Sequence, residues 1–249
     1  MTEPLLRVCE LRKSFGALRA SDGITFDVQP GETHAVIGPN GAGKTTFISQ
    51  LAGNLRPDSG RIAFAGEDIT ALPAPRRARK GLARSFQITS VYSEFSALQN
   101  VALAIQAHAG HSFRFWRDAR RDPALTLPAE KVLREVGLGE RIHILAANLA
   151  HGEQRQLEVA MALATGPRLL LLDEPMAGMG TEESQRMIAL LSSLKRKQTI
   201  ILVEHDMDAV FRLADRISVL VYGRVIATGA PEEVRANPEV RAAYLGEDA

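Results

Sequence analysis

The stretch Gly38-Pro39-Asn40-Gly41-Ala42-Gly43-Lys44-Thr45-Thr46 constrains this chain more than any other. It follows the apolar run Thr33–Ile37, which reads as a buried strand, and precedes Phe47–Leu51, which reads as the start of a helix. Glycines between a strand and a helix let backbone N–H groups crowd around a polyphosphate with no side chain in the way. The positive end of the helix dipole then adds to the same spot. The spacing G-x-x-x-x-G-K-S/T is complete. It predicts a loop that binds a nucleoside triphosphate, with Lys44 on the β- and γ-phosphates and the Thr45 hydroxyl on Mg²⁺.

At 249 residues the chain holds one large domain or two small ones. A net charge of +1 gives no general reason to expect nucleic acid or an anionic membrane as partner. The single cysteine, Cys9, excludes an internal disulfide and fits a reducing compartment. The longest apolar runs, Leu169–Leu172 and Ile217–Tyr222, fall far short of the roughly 18–20 residues of a bilayer span. The expectation is a soluble chain, with any membrane spans supplied by others.

Leu5–Cys9 and Ile24–Val28 alternate as half-buried strands, with Lys13-Ser14-Phe15-Gly16 as a turn between them. Arg56–Gly60 is expected to close the helix of the phosphate loop, and Arg61–Gly66 to form a hairpin strand. Arg76, Arg77, Arg79 and Lys80 read as a solvated helix face. Between about Ser96 and Asn148 the period becomes helical, through Leu98, Val101, Ala102 and Ile105 and again through Val132, Leu133 and Val136. The basic, aromatic stretch His108–Pro128 between them reads as a surface loop, with nucleic acid or lipid headgroups as the alternative. From Gln154 helices near Gln154–Thr165, Glu182–Leu194 and Met207–Leu213 alternate with strands Leu169–Asp173, Thr199–Val203 and Ile217–Tyr222. That order implies a parallel sheet with crossover helices, whose ligands bind at the carboxyl ends of the strands.

Asp173, Glu174, Glu204 and His205 fall at that end. The four leucines before Asp173 belong to a strand buried on both faces. The two acids after them are suited to different tasks, Asp173 to hold Mg²⁺ opposite Thr45 and Glu174 to deprotonate the water that attacks the γ-phosphate. Helix capping is the alternative use of such a pair. His205 is placed to contact the γ-phosphate.

Taken together, these residues resemble the nucleotide-binding subunits of ABC transporters over nearly the whole chain. Phe15 falls where that family stacks an aromatic on adenine, and Gly38–Thr46 matches its Walker A motif. Gln87 matches the Q-loop glutamine that touches Mg²⁺ and the membrane subunits. Ala150, His151, Gly152 and Glu153 fall in the signature motif, Asp173-Glu174 matches Walker B, and His205 the switch histidine. The resemblance implies an α/β P-loop NTPase fold, a RecA-like parallel core with an antiparallel β subdomain and an inserted helical subdomain. The expected division is 1–86, 87–152 and 153–249. It also implies two such subunits paired head to tail, each ATP held between Walker A of one and the signature motif of the other.

Two positions depart from the family pattern. Ala150 replaces the signature serine, which removes a hydroxyl contact to phosphate of about 1.5–3 kcal/mol. Gly180 stands where the loop after Walker B carries an aspartate. The segments Gly81–Gln87, Glu204–Met207 and Ala243–Glu247 are similar to the larger ATPase of branched-chain amino-acid importers. That branch implies a peripheral ATPase at the cytoplasmic face of the inner membrane. Its partners there are two multispanning subunits, a second ATPase and, indirectly, a periplasmic or extracellular binding protein. Urea and short amides are the alternative cargoes. A soluble ATPase acting on ribosomes or DNA fits less well, because those relatives carry two nucleotide domains or long coiled coils and this chain has neither.

Overall fold

The computed structural model describes residues 3–85, 91–109 and 122–245. Gln87 and the Arg114–Arg121 stretch lie outside them. Strands β1 (Leu6–Phe15), β2 (Leu18–Val28), β4 (Ser59–Phe64) and β5 (Glu67–Asp68) form an antiparallel sheet in the order β2-β1-β4-β5. A second sheet, in the order β10-β9-β3-β8-β7-β6, combines β3 (Thr33–Ile37), β6 (Leu82–Arg84), β7 (Leu169–Asp173), β8 (Thr199–Val203), β9 (Arg216–Val221) and β10 (Arg224–Gly229). It is parallel from β9 to β6, and β10 is added antiparallel at one edge.

Every residue of β3, β7 and β8 is buried, as expected for central parallel strands covered on both faces. The period-two alternation of β7 divides its leucines between two cores. Leu169 and Leu171 join Phe47, Ile48 and Leu51 of helix α1 (Lys44–Ala52) and the apolar face of the antiparallel sheet. Leu170 and Leu172 join the helical part on the other face: α3 (Ala97–Ala109), α4 (Pro123–Glu135), α5 (His151–Leu163) and α6 (Thr181–Leu194). Helix α7 (Met207–Leu213) and the C-terminal α8 (Pro231–Ala236) and α9 (Pro238–Leu245) close a third core against β3 and β9.

Several elements differ from the sequence reading. Lys13, Ser14 and Phe15 are strand rather than turn, because β1 and β2 pair out to Phe15–Leu18. Helix α1 stops at Gly53, whose φ of 83° suits a left-handed cap that glycine adopts freely. The stretch His108–Pro128 is not all loop. Helix α3 runs to Ala109, and α4 begins at Pro123 with Asp122 as its N-cap, accepting the Ala124 N–H at 3.0 Å.

The basic cluster also needs correction at one residue. Arg76 and Arg79 of helix α2 (Ala74–Arg79) are exposed, but Arg77 is only 1% exposed. Its guanidinium donates to the Gln50 and Leu51 carbonyls, each at 2.7 Å, and to those of Leu72 (2.8 Å) and Thr70 (3.0 Å). It thus satisfies the carbonyls that end α1, the helix of the phosphate loop. Burial lowers its pKa to about 10, still charged at neutral pH. Arg77→Met leaves four carbonyls short of a donor and is expected to cost at least about 3 kcal/mol. Thermal unfolding followed by circular dichroism should show a midpoint about 6–12 °C lower for a chain of this size. A change under about 2 °C would return Arg77 to the solvated face.

Candidate nucleotide site

The phosphate loop leaves β3 between the carboxyl ends of its neighbours. Val203 pairs with Val36 on one side and with Asp173 on the other, so three strands end at the same level. Residues 38–43, 173–174 and 204–205 are therefore delivered to one edge of the sheet.

Within the loop, Gly38 and Gly43 are fixed by what lies behind them. A Cβ on Gly38 would stand 2.0 Å from the Leu220 carbonyl oxygen, and one on Gly43 2.2 Å from that of Ala20. Gly43 has φ 103° and is the N-cap of α1. Gly41 meets nothing within 4 Å and, like Asn40, is exposed. The Ala42 carbonyl accepts the Gly223 N–H at 2.9 Å, which ties the loop to the β9–β10 turn. Pro39 and Thr46 are half-buried, Ala42 is buried and Thr45 is exposed.

Lys44 is buried at the first position of α1, and its Nζ donates to the Gly38 carbonyl at 2.6 Å and the Pro39 carbonyl at 3.0 Å. Burial lowers its pKa, opposed by the charges of Glu174 and Asp173. This places one cation and two carboxylates within electrostatic reach of one another.

Asp173 is 2% exposed. Its Oδ2 accepts Arg84 Nη2 at 2.9 Å, while Oδ1 is buried with no hydrogen-bond partner. Burial raises its pKa, against the nearby Arg84. An oxygen left in this condition is one that a hard cation would satisfy, so the donor set fits Mg²⁺.

Glu174 has φ 51°, the left-handed region that a non-glycine residue rarely occupies. The surroundings enforce it. Its N–H donates to the Val203 carbonyl at 2.9 Å and its carbonyl accepts the Ala177 N–H at 3.1 Å. Behind it, Glu204 is 1% exposed and receives the N–H groups of Met176 at 3.0 Å and His205 at 3.2 Å. Burial raises the Glu204 pKa, with both hydrogen bonds opposing. Strain of this kind, about 1–3 kcal/mol, persists where the fold over-determines it and collects at functional sites. The His205 side chain is 65% exposed at the same edge, 3.9 Å from Glu204.

Ala150 is the N-cap of α5, and its N–H donates to Glu153 Oε2 at 3.0 Å. Arg141 holds Glu153 Oε1 at 3.0 Å, and the His151 ring lies 3.3 Å from the Ala177 carbonyl. The Gly152 N–H donates to Glu183 Oε1 at 3.1 Å. These contacts run to α6, to Arg141 and to the turn after Glu174; among the described residues none runs to the phosphate loop. Phe15 is half exposed at the tip of the β1–β2 hairpin, with Lys13 Nζ 5.6 Å from its ring centre.

Sequence reasoning thus found the strand-end acids and missed three supports: Arg84 on Asp173, Glu204 as a clamp, and Glu183. Glu204 was visible as an acid after an apolar strand. Arg84 and Glu183 gave no comparable signal, because their partners lie 89 and 31 residues away.

Comparison with known proteins agrees with this geometry. Residues 21–177 match the ABC transporter family, and residues 224–249 match the branched-chain amino acid ATP-binding cassette transporter family. The chain is 39% identical to the high-affinity branched-chain amino acid transport ATP-binding protein BraF of Pseudomonas aeruginosa, over 99% of this chain and all of that one. It is 38% identical to the corresponding LivG protein of Escherichia coli, again over 99% of this chain and all of the relative. An ATP-binding cassette of an ABC transporter, solved in its ADP conformation, superimposes with a TM-score of 0.86 at 29% identity, covering 98% of this chain and 100% of that one. A nucleotide-free cassette gives 0.85 at 28% identity, covering 97% and 99%. This chain belongs to the ABC transporter ATP-binding proteins, in the group of the branched-chain amino acid transport ATPases.

Proposed function

We propose that this chain hydrolyses ATP as one of a pair of ATPase subunits and that the cycle powers uptake of branched-chain or other hydrophobic amino acids. The observation that carries the reading is Glu174, held at φ 51° at the end of a buried strand beside Asp173 and Lys44. Glu10, Ala65, Arg196 and Tyr222 share that φ range, so it is the position of Glu174 beside Asp173 and Lys44, and not the φ alone, that points to a catalytic acid.

In this reading Phe15 stacks on adenine, and the backbone N–H groups of the exposed residues 40, 41 and 45, at the start of α1, cradle the phosphates. Lys44 gives up its own loop carbonyls for the β- and γ-phosphates. Thr45, Asp173 and Gln87 would hold Mg²⁺, which would neutralise charge on the phosphates. Glu174 takes a proton from the attacking water, and His205 contacts the γ-phosphate. Ala150, His151, Gly152 and Glu153 present the start of α5 to the nucleotide of the partner subunit. The division into 1–86, 87–152 and 153–249 belongs to the same proposal. The hydrophobic cluster of the helical part does not stop at residue 152: it continues through α5, α6 and α7 and takes one face of β7 and β8, so the division follows the family motifs rather than the packing.

The partners follow from the same family membership. They are two multispanning membrane subunits, a second ATPase and, through them, a periplasmic or extracellular binding protein. The chain would then sit at the cytoplasmic face of the membrane, and no described helix is long and apolar enough to cross one. The test is a pull-down from solubilised membranes with tagged Glu174→Gln in ATP and Mg²⁺. Two multispanning proteins and a smaller ATPase are expected. Ribosomal or DNA-repair proteins in their place would leave the ATP site standing and overturn transport.

A further inference from the structure

One carboxylate spans the starts of two helices. Glu183, in the first turn of α6, receives the N–H of Gly180, the N-cap of its own helix, at 3.2 Å on Oε2. Its Oε1 receives the Gly152 N–H of α5 at 3.1 Å. A Cβ on Gly152 would stand 2.8 Å from both the carboxyl carbon and Oε1 of Glu183. The missing side chain at 152 is therefore what admits this carboxylate, and Gly152 is buried beneath it. Gly180 has no side chain with which to cap α6, so the cap falls to Glu183.

An anion on a first-turn amide of a 13-residue helix is the arrangement that helix would otherwise offer to a phosphate. We propose that Glu183 is a positioning residue that competes with nucleotide. In the unpaired subunit it occupies the Gly152 amide, and the γ-phosphate carried by the partner must displace it. This rests on the reading that residues 150–153 face the partner's ATP. One N–H cannot serve two anions, and like charges at hydrogen-bond range repel strongly. Arrival of the phosphate therefore moves Glu183 off α5. Because Glu183 also caps α6, that movement reaches the turn running from Glu174 to Gly180.

The test measures ATP-driven pairing of the full chain by sedimentation velocity, in a Glu174→Gln background that slows hydrolysis. Glu183→Ala should pair at about tenfold lower protein concentration, the size expected for removing one charged competitor from a hydrogen bond. Glu183→Gln, which keeps the shape and one acceptor, should shift in the same direction by less. Thermal stability should fall in both as the α6 cap weakens. ATP affinity of the unpaired chain, read with a fluorescent nucleotide, should not move. A purely structural cap predicts the reverse pattern, lower stability with equal or weaker pairing. Ala150→Glu, at an exposed position, puts a fixed charge in the phosphate's path and should abolish pairing. If it does, and both Glu183 variants pair no better than their parent, the competitor role is overturned and the reading of residues 150–153 stands. If Ala150→Glu pairs as well as the parent, that reading is overturned and the competitor role with it.

Discussion

Glu174→Gln is expected to bind ATP as the native chain does and to hydrolyse it about 10²–10⁴-fold more slowly, the usual size of a general-base contribution. Glutamine matches glutamate in size and tolerates the same backbone, so the bonds from residue 174 to Val203 and Ala177 survive. What disappears is the ability to take a proton. Binding should hold because Lys44 keeps its bonds to the loop and the charge of Asp173 beside it, while loss of the Glu174 carboxylate lessens the repulsion felt by phosphate. Single-turnover hydrolysis and nucleotide titration on one preparation separate the two effects. Near-normal turnover would move the base elsewhere. Glu204 could not easily replace it, since both its oxygens already hold the backbone of Met176 and His205.

Lys44→Ala is expected to weaken ATP binding itself. A hydrogen bond to a charged group contributes about 1.5–3 kcal/mol, which corresponds to roughly tenfold to over a hundredfold in affinity. The side chain also bridges the Gly38 and Pro39 carbonyls, so alanine loosens the loop as well as removing the charge. Lys44→Met keeps most of the stem and isolates the charge. Calorimetric titration of both variants checks the prediction, and unchanged affinity in Lys44→Met would mean that the backbone amides alone hold the phosphates. Because burial lowers the Lys44 pKa, the loss of affinity of the native chain at high pH should begin below the usual lysine range. The sign follows from the neutral amine having no charge to offer phosphate.

Local chemistry made the framework legible. The phosphate loop, the apolar strands β3, β7 and β8, which match their expected bounds, and the acids at their ends are contiguous patterns. A strand buried on both faces must be apolar throughout, and a loop that wraps phosphate must shed side chains. Both demands are written in neighbouring residues. Helix periodicity likewise located Leu133 and Val101 in the core of the helical part.

The tertiary structure decided what joins distant residues. A basic cluster gives no sign that Arg77 alone turns inward, because two of its four acceptors are backbone carbonyls at the end of another helix, 26 and 27 residues away. Gly152 reads in sequence only as one position of the signature motif, and in the fold the space a side chain would take there is filled by Glu183. Arg84 and Asp173 meet because β6 pairs with β7 across an inserted helical part. The strain at Glu174 exists only because Val203 fixes one side of it and Glu204 the turn beyond. The sequence by itself determined that the phosphate loop, Asp173-Glu174 and Glu204-His205 would reach one edge of the parallel sheet, since strand ends and loops are local. Which charges are paired, buried or held in waiting there depends on contacts between elements far apart in the chain, and only folding brings those together.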